Sequence, residues 1–259
     1  MGVRLYLEEG LQAGEAVRLS PPQAHYLGQV MRLSAGDRIC LFNGQDGEWE
    51  AVLETLSKKN ATAILKKRRR AQNRLPDLWL LFAPIKRDRI DILVEKATEL
   101  GVTRLLPVLT ERTTVRRVNA ERLRAHAVEA AEQTGRLCVP AFEDLAPLAR
   151  VLAHWPSERR LLFCDETGGG APVLDALGAA GPGPWAVLIG PEGGFAPAEL
   201  DALRGLPFVT PASLGPRVLR ADTAAIAALT AWQAVLGDWQ ARPAFRAEKS
   251  AGEGKKCRS

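Results

Sequence analysis

The period of the apolar residues changes once along this chain, near residue 72, and the change limits what each part can become. Before it, short alternating runs are separated by turn residues. Val3 to Leu7 alternates, Asp37 to Phe42 follows a Ser34-Ala35-Gly36 turn, and Asn43 to Gly47 reads as a hairpin loop. Glu48 to Leu56 and Ala61 to Leu65 complete a small, mostly β unit. Its one helix, Pro22 to Met31, has a start signal in Ser20 and the Pro21-Pro22 pair. After the change, Leu78 to Ala83 reads as a buried strand. Arg87 to Leu100 carries a helical apolar face (Ile90, Leu93, Val94, Ala97, Leu100) that stops at Gly101. Val102 to Leu109 is a strand, Asn119 to Arg136 a long helix, and Thr223 to Asp238 a last one. Arg160 to Asp165, Trp185 to Ile189 and Phe208–Val209 are short strands between them. Strands alternating with helices predict an α/β domain with a parallel sheet covered on both faces. The expected organisation is a β unit over 1–72, an α/β domain over 73–240 and a disordered polar tail over 241–259.

Composition narrows the class. A chain of 259 residues, 46% hydrophobic and 25% charged, can bury a full core and reads as an ordinary globular protein. Aromatic residues are sparse, so any surface for stacking bases rests on few side chains. Cys40, Cys138, Cys164 and Cys257 are widely spaced with no CxxC pair, which argues against zinc and against a disulfide framework. Cys164 sits in an apolar run and is expected in the core. Neither a leader pattern nor a run long enough to span a bilayer is present, so a cytoplasmic location is expected. The net charge of +5 permits an anionic partner, and it is uneven. Lys66-Lys67-Arg68-Arg69-Arg70 lies between the two units, where a run of five cations is either a solvated linker or a nucleic-acid contact. Its position beside a cleft favours the contact.

Two loops carry the chemistry. An apolar run ending at Leu188-Ile189 empties into Gly190-Pro191-Glu192-Gly193-Gly194-Phe195, and Ser213-Leu214-Gly215-Pro216-Arg217-Val218-Leu219-Arg220 runs into an alanine-rich helix. Such loops let bare backbone N–H and C=O groups approach a small ligand closely, because glycine has no Cβ to hold it off. Neither is a phosphate cradle: GxxxxGK[ST] is absent, and so is GxGxxG between a strand and a helix.

These loops resemble the cofactor-binding segments of the RsmE-type ribosomal RNA methyltransferases, a branch of the SPOUT (trefoil-knot) superfamily. His25 to Leu33 is similar to the family's "H…VLR" segment, with Met31 in place of leucine. Glu95 to Val102 matches its "EKATELGV", and Glu129 to Arg136, followed by Val139-Pro140, its "EA-x-EQ-x-R". The ordered matches span about residues 20 to 237. Asp222 stands where the family's Arg-x-Glu-Thr-Ala has glutamate. The resemblance implies an N-terminal PUA-like β-barrel that binds RNA and a C-terminal SPOUT α/β trefoil-knot domain. It implies methyl transfer from S-adenosyl-L-methionine to N3 of a uridine in 16S rRNA of the small ribosomal subunit, by a homodimer to which the Thr223–Asp238 helix contributes, without a metal. The same fold serves other RNA targets, and a non-catalytic RNA-binding assembly factor would keep it too.

The resemblance assigns Leu188, Ile189, Gly190, Pro191, Gly193, Gly194, Leu214, Gly215, Pro216, Arg217 and Leu219 to the cofactor. A uridine N3–H must lose its proton before nitrogen can attack, so a cation that stabilises the developing anionic base should contribute. Arg220 is the first candidate, either for that charge or for a neighbouring phosphate. Glu192 and Asp222 either accept the proton or orient arginines. Arg32, Lys67, Arg68, Arg69, Arg112, Gln133 and Arg136 are the candidate RNA contacts; Glu132 and Arg136, four apart on one helix, pair with each other or face the RNA. His25 is expected either in the core or between the two domains.

Overall fold

In the computed structural model, which describes residues 2–241, the first seventy residues form five strands: β1 (Arg4–Tyr6), β2 (Ala16–Leu19), β3 (Arg38–Phe42), β4 (Glu48–Leu56) and β5 (Ala61–Arg70). They lie in the order β1-β3-β4-β5-β2. β1 pairs with β3 in parallel, and the other pairings are antiparallel. Alternation along the strands buries one face: Val17 and Leu19, Ile39 and Leu41, Ala61, Ala63 and Leu65 meet in one core with Leu5 and Leu27. The hairpin loop is where the sequence predicts it, and Asn43 Oδ1 accepts from the backbone N–H groups of Gln45 and Asp46.

The hydrogen-bond ladder does not close into a complete barrel. Helix α1 (Pro21–His25) follows β2 directly, and Gln23 Nε2 donates to the Tyr6 carbonyl on β1, so the helix spans the gap. Ser20 and Gln23 form the capping box that opens α1. The predicted helix to Met31 stops being α at His25. Tyr26–Val30 widen into a π-helical turn, with Met31 N–H bonded to Tyr26 O, and Arg32 follows at φ 55°. His25 is exposed, so it is not a core residue. β5 corrects a second expectation: it runs five residues past Leu65, through the basic run, so Lys66 to Arg70 is strand and not linker.

The rest of the chain builds β6 (Leu78–Phe82), α2 (Arg87–Glu99), β7 (Arg104–Leu109), α3 (Ala120–Thr134), β8 (Ala141–Phe142), β9 (Ala146–Pro147) and α4 (Leu148–Ala153). Then come β10 (Arg160–Cys164), β11 (Ala171–Pro172), α5 (Val173–Ala180), β12 (Trp185–Ile189), α6 (Pro197–Arg204), β13 (Val209–Ser213) and α7 (Ala221–Val235). The sheet order is β11-β13-β10-β12-β6-β7-β8, with β9 joined to β7, and every pairing is parallel. Successive residues of each strand go to opposite cores. Leu80, Leu162 and Val187 pack with residues of α2 and α7, whereas Leu81, Leu161, Phe163, Ala186 and Leu188 pack with residues of α4 and α6. That double burial is why these strands read as continuous apolar runs. No helix among the described residues is long and apolar enough to cross a membrane. The tail expected to be disordered lies outside the described residues, apart from residue 241.

An ionic knot joins the two units. Buried Arg4 donates to Glu48 (2.6 Å) and to three carbonyls at the end of α3: Ala131 and Glu132 from Nη1, Arg136 from Nη2. Arg70 adds two bonds to Glu48 and one to Gly135 O. Two cations thus satisfy the carbonyl end of a helix, where the helix dipole is negative.

Candidate active site

The loops after β10, β12 and β13 leave the carboxyl edge of the sheet side by side, the usual ligand position in a parallel α/β sheet. β12 lies between β10 and β6 although it follows β10 in the chain. Two adjoining cavities open there. One, of about 410 Å³, is lined by Ile189, Gly190, Pro191, Glu192 and Gly194 on one side and by Leu219 and Arg220 on the other. The second, of about 230 Å³, lies between Asp165–Gly168 and the segment Leu214, Gly215, Pro216, Arg217. Cys164, Glu166, Val218, Leu219 and Ala224 border both.

The two glycine loops therefore come together as the sequence predicts, with two exceptions. Leu188 is fully buried in the opposite core, against Leu81 and Phe163, so its side chain packs the sheet and does not line the cavity. Gly193 turns outward to Arg112, whose Nη1 donates to its carbonyl at 3.2 Å. Arg112 is exposed and lines neither cavity. Its loop is fixed by Glu111 N–H donating to Glu199, a carboxylate that also accepts from Ala196 at the start of α6.

A third loop, outside the two glycine segments that the sequence marks, completes the walls. β10 ends in Asp165-Glu166-Thr167 followed by Gly168-Gly169-Gly170. Its signal, an apolar run emptying into glycines, is the one that marks the other two. Asp165 is buried. Burial alone would raise its pKa, but bonds from Thr167 and Arg204 hold the carboxyl below its usual range. Glu166 Oε1 accepts from Phe195 N–H at 2.8 Å, tying this loop to the β12 loop. Cys164 is in the core as expected, and burial pushes its thiol up to about 12; it is a neutral wall and not a nucleophile.

Glu192 and Asp222 also converge, on a residue the sequence reading did not single out. Arg89, in the first turn of α2, has Nη1 3.8 Å from Glu192 Oε1 and 3.9 Å from Asp222 Oδ1. Nothing in a helix turn that also holds Arg87, Asp88 and Asp91 marks Arg89 apart; only the fold does. Arg220 is the N-cap of α7; it is exposed and lines the larger cavity.

The candidate RNA contacts separate. Arg32, Lys67, Arg68 and Arg69 are exposed on the β unit and line neither cavity. Gln133 is exposed in a groove of about 820 Å³ between the β unit and α3. Arg136 is not available to RNA. It lies past Gly135, where the helix ends in a left-handed turn, and is 9% exposed. Its guanidinium donates to Thr98 O and Val102 O. Nor does it pair with Glu132, whose carboxylate accepts from Tyr6 N–H.

A basic β unit beside a parallel α/β domain with a glycine-walled cleft at its carboxyl edge is the architecture of an RNA-modifying enzyme. Residues 71–233 match the model of the RNA methyltransferase domain, and residues 11–66 that of the RNA methyltransferase PUA domain. Ribosomal RNA small subunit methyltransferase E of Rickettsia conorii is 32% identical over 87% of this chain and 93% of its own length. The protein of that name from Synechocystis is 33% identical over 85% and 73%. Among solved structures, the Neisseria gonorrhoeae protein of that name bound to S-adenosyl methionine superposes with a TM-score of 0.82 at 30% identity, covering 92% of this chain and all of that one. A putative methyltransferase of Legionella pneumophila in complex with the same cofactor gives 0.80 at 30% identity, over 92% and 99%. The chain belongs to the ribosomal RNA small subunit methyltransferase E family.

Proposed function

We propose that this chain is an S-adenosylmethionine-dependent methyltransferase that methylates N3 of a uridine in 16S ribosomal RNA, working in the cytoplasm as a homodimer. The observation that carries the reading is the convergence of three glycine-bearing loops on one pair of adjoining cavities, with a guanidinium and two carboxylates at the edge. Those walls fit the cofactor. Ile189, Leu214 and Leu219 offer apolar surface to an adenosine, Gly190 and Gly215 offer open backbone, and Glu166 offers a carboxylate to hydroxyl or ammonium groups. S-adenosylmethionine supplies an electrophilic methyl carbon on a sulfonium. The chain's own part is to bind the uridine, remove its N3 proton through Glu192 or Asp222, and stabilise the charge that forms. In this reading Arg220, exposed on the cavity lining, holds a phosphate next to the target base. The outer face of α7 (Thr223, Ala227, Thr230, Ala234) stays outside the protomer core and is the dimer surface of this reading; a monomer in sedimentation equilibrium would remove that part.

The deciding test is methyl transfer to small subunits that lack the modification, followed by nucleoside analysis. The expected product is 3-methyluridine, and a ribose-methylated product would refute the target. Arg220→Ala is expected to lower transfer about 100-fold with cofactor affinity little changed; equal losses in both would place Arg220 on the cofactor.

Arg32, Lys67, Arg68, Arg69, Arg112 and Gln133 form the RNA-facing set of this reading. Arg70 is excluded from the test because it belongs to the knot with Glu48. Replacing Lys66, Lys67, Arg68 and Arg69 by glutamine is expected to weaken RNA binding and flatten its dependence on salt. Each lost phosphate contact should reduce the slope by about 0.7 to 0.9. An unchanged slope would return the run to a merely solvated strand end.

A further inference from the structure

We propose that Arg89 is a catalytic residue: the cation that faces the uracil ring and takes up the negative charge formed when N3 loses its proton. This rests on the reading of the site as a uridine-N3 methyltransferase. Three observations lead to it. Arg89 and Arg220 both line the larger cavity with Gly190, Leu219 and Glu166, but Arg89 is half-buried there whereas Arg220 is exposed. Its side chain is 26% exposed, and its Nη1 lies 3.8 Å from Glu192 and 3.9 Å from Asp222, too long for direct hydrogen bonds. None of its side-chain N–H groups makes a hydrogen bond to a described residue, although a guanidinium carries five donors. Among the described side chains, the more buried arginines are committed: Arg4 and Arg136 to backbone carbonyls, Arg70 to Glu48, Arg122 to Asp91, and Arg159 to the Trp185 carbonyl and Asp77. Arg89 has its charge compensated and its donors uncommitted.

That arrangement suits one proton transfer. The N3–H bond breaks, the proton goes to the carboxylate of Asp222 or Glu192, and the electron pair stays on the imide, spread over N3, O2 and O4. Before the transfer the guanidinium faces two carboxylates. After it, one carboxylate is neutral and the negative charge is on the uracil. Arg89 faces the same total charge throughout, so nothing new has to be desolvated, and the free N–H donors meet a uracil oxygen only as its charge grows. A donor that strengthens its bond as charge develops lowers the barrier, and one that binds both states equally does not.

The test uses the full-length protein and RNA carrying either uridine or 5-fluorouridine at the target, whose imide is more acidic. Wild-type product analysis comes first and judges the underlying reading separately: without an N3-methylated product, that reading fails whatever Arg89 does. Arg89→Gln is expected to slow single-turnover methyl transfer about 100- to 1,000-fold, with S-adenosylmethionine affinity within about threefold of wild type. The fluorinated target should recover at least about tenfold of the loss. Arg89→Lys, which keeps the charge without the planar fork, should fall between the two. Independently of turnover, fluorine NMR of the fluorinated RNA bound with S-adenosylhomocysteine should show the imide ionising at lower pH on wild type than on Arg89→Gln. A parallel loss of cofactor affinity would assign Arg89 to the cofactor's carboxylate and overturn the proposal. An equal rate loss with both RNAs, or an unchanged fluorine titration, would also overturn it.

Discussion

Glu48→Gln is expected to destabilise the protein by about 3 to 5 kcal/mol, the usual cost of leaving buried charges without their partner. Arg4 and Glu48 are 6% and 8% exposed in their side chains, and Arg70 shares the same carboxylate. Burial would raise the Glu48 pKa, but bonds from Arg70 and Arg4 outweigh it and hold the carboxyl below its usual range. A depressed folded-state pKa contributes stability above the unfolded value, about 4.3, and that stability is lost as pH falls through the folded one. Glu132, beside the knot, works in the opposite sense. Burial raises its pKa against the bond from Tyr6 N–H, so its contribution is present at low pH and lost as pH rises through the raised value. The difference in unfolding free energy between wild type and Glu48→Gln, from urea titrations, should therefore shrink from neutral pH towards pH 3. A difference independent of pH would show that the carboxylate's charge is not what holds the knot. Removing Arg4 as well should not restore stability, because three carbonyls at the end of α3 lose their donor with it. The knot also sets the β unit against α3, so Glu48→Gln should weaken RNA binding before it weakens cofactor binding.

What the sequence made legible follows from which forces are local. Trp185–Ile189 and Glu48–Leu56 have the bounds that their apolar pattern predicts, because alternation or continuous burial is written residue by residue. The alternating pattern of β5 ends at Leu65, since five consecutive cations do not read as a strand; opposite them, Glu48 and Glu50 and two register shifts make the extension tolerable. The helix at Pro21 was legible from its capping box, but its passage into a π turn at Tyr26 depends on packing against the β core. Arg136 reads as a surface arginine four residues from a glutamate. Only the left-handed turn at Gly135 sends it inward to the carbonyls of Thr98 and Val102, more than thirty residues away. The site itself divides in the same way. Glycine loops are visible in a sequence because their composition is their mechanism, and the loop after β10 has that composition too. Arg89 has no such mark, since its meaning lies in Glu192 and Asp222, which come from two other elements.

The glycines of the β12 loop should differ sharply when each is replaced by alanine, and the order tests what shapes the cavity proposed for the cofactor. At Gly190 a Cβ would stand 2.5 Å from a ring carbon of Phe195. That ring is 2% exposed and locked edge-on against Phe163, with centroids 5.2 Å apart, so the loop must move instead. Overpacking of this kind costs about 1 to 3 kcal/mol, and because the displaced backbone is the cavity wall, cofactor affinity should fall by about 10- to 100-fold. Gly194→Ala combines a positive φ of 68° with a contact 2.6 Å from Glu166 Oε1, and should be similarly damaging by pushing Glu166 off the Phe195 N–H. Gly193→Ala meets nothing nearer than 3.6 Å, at Arg112, and should bind the cofactor within about threefold of wild type. Titration calorimetry on the three variants gives the order directly. If Gly193→Ala proves as harmful as Gly190→Ala, the loop senses bulk through the ligand and not through Phe195. The pair Gly190→Ala with Phe195→Leu separates these causes further: removing the aromatic ring should restore much of the affinity if the ring is what the new methyl strikes, and none of it if the methyl strikes the bound cofactor.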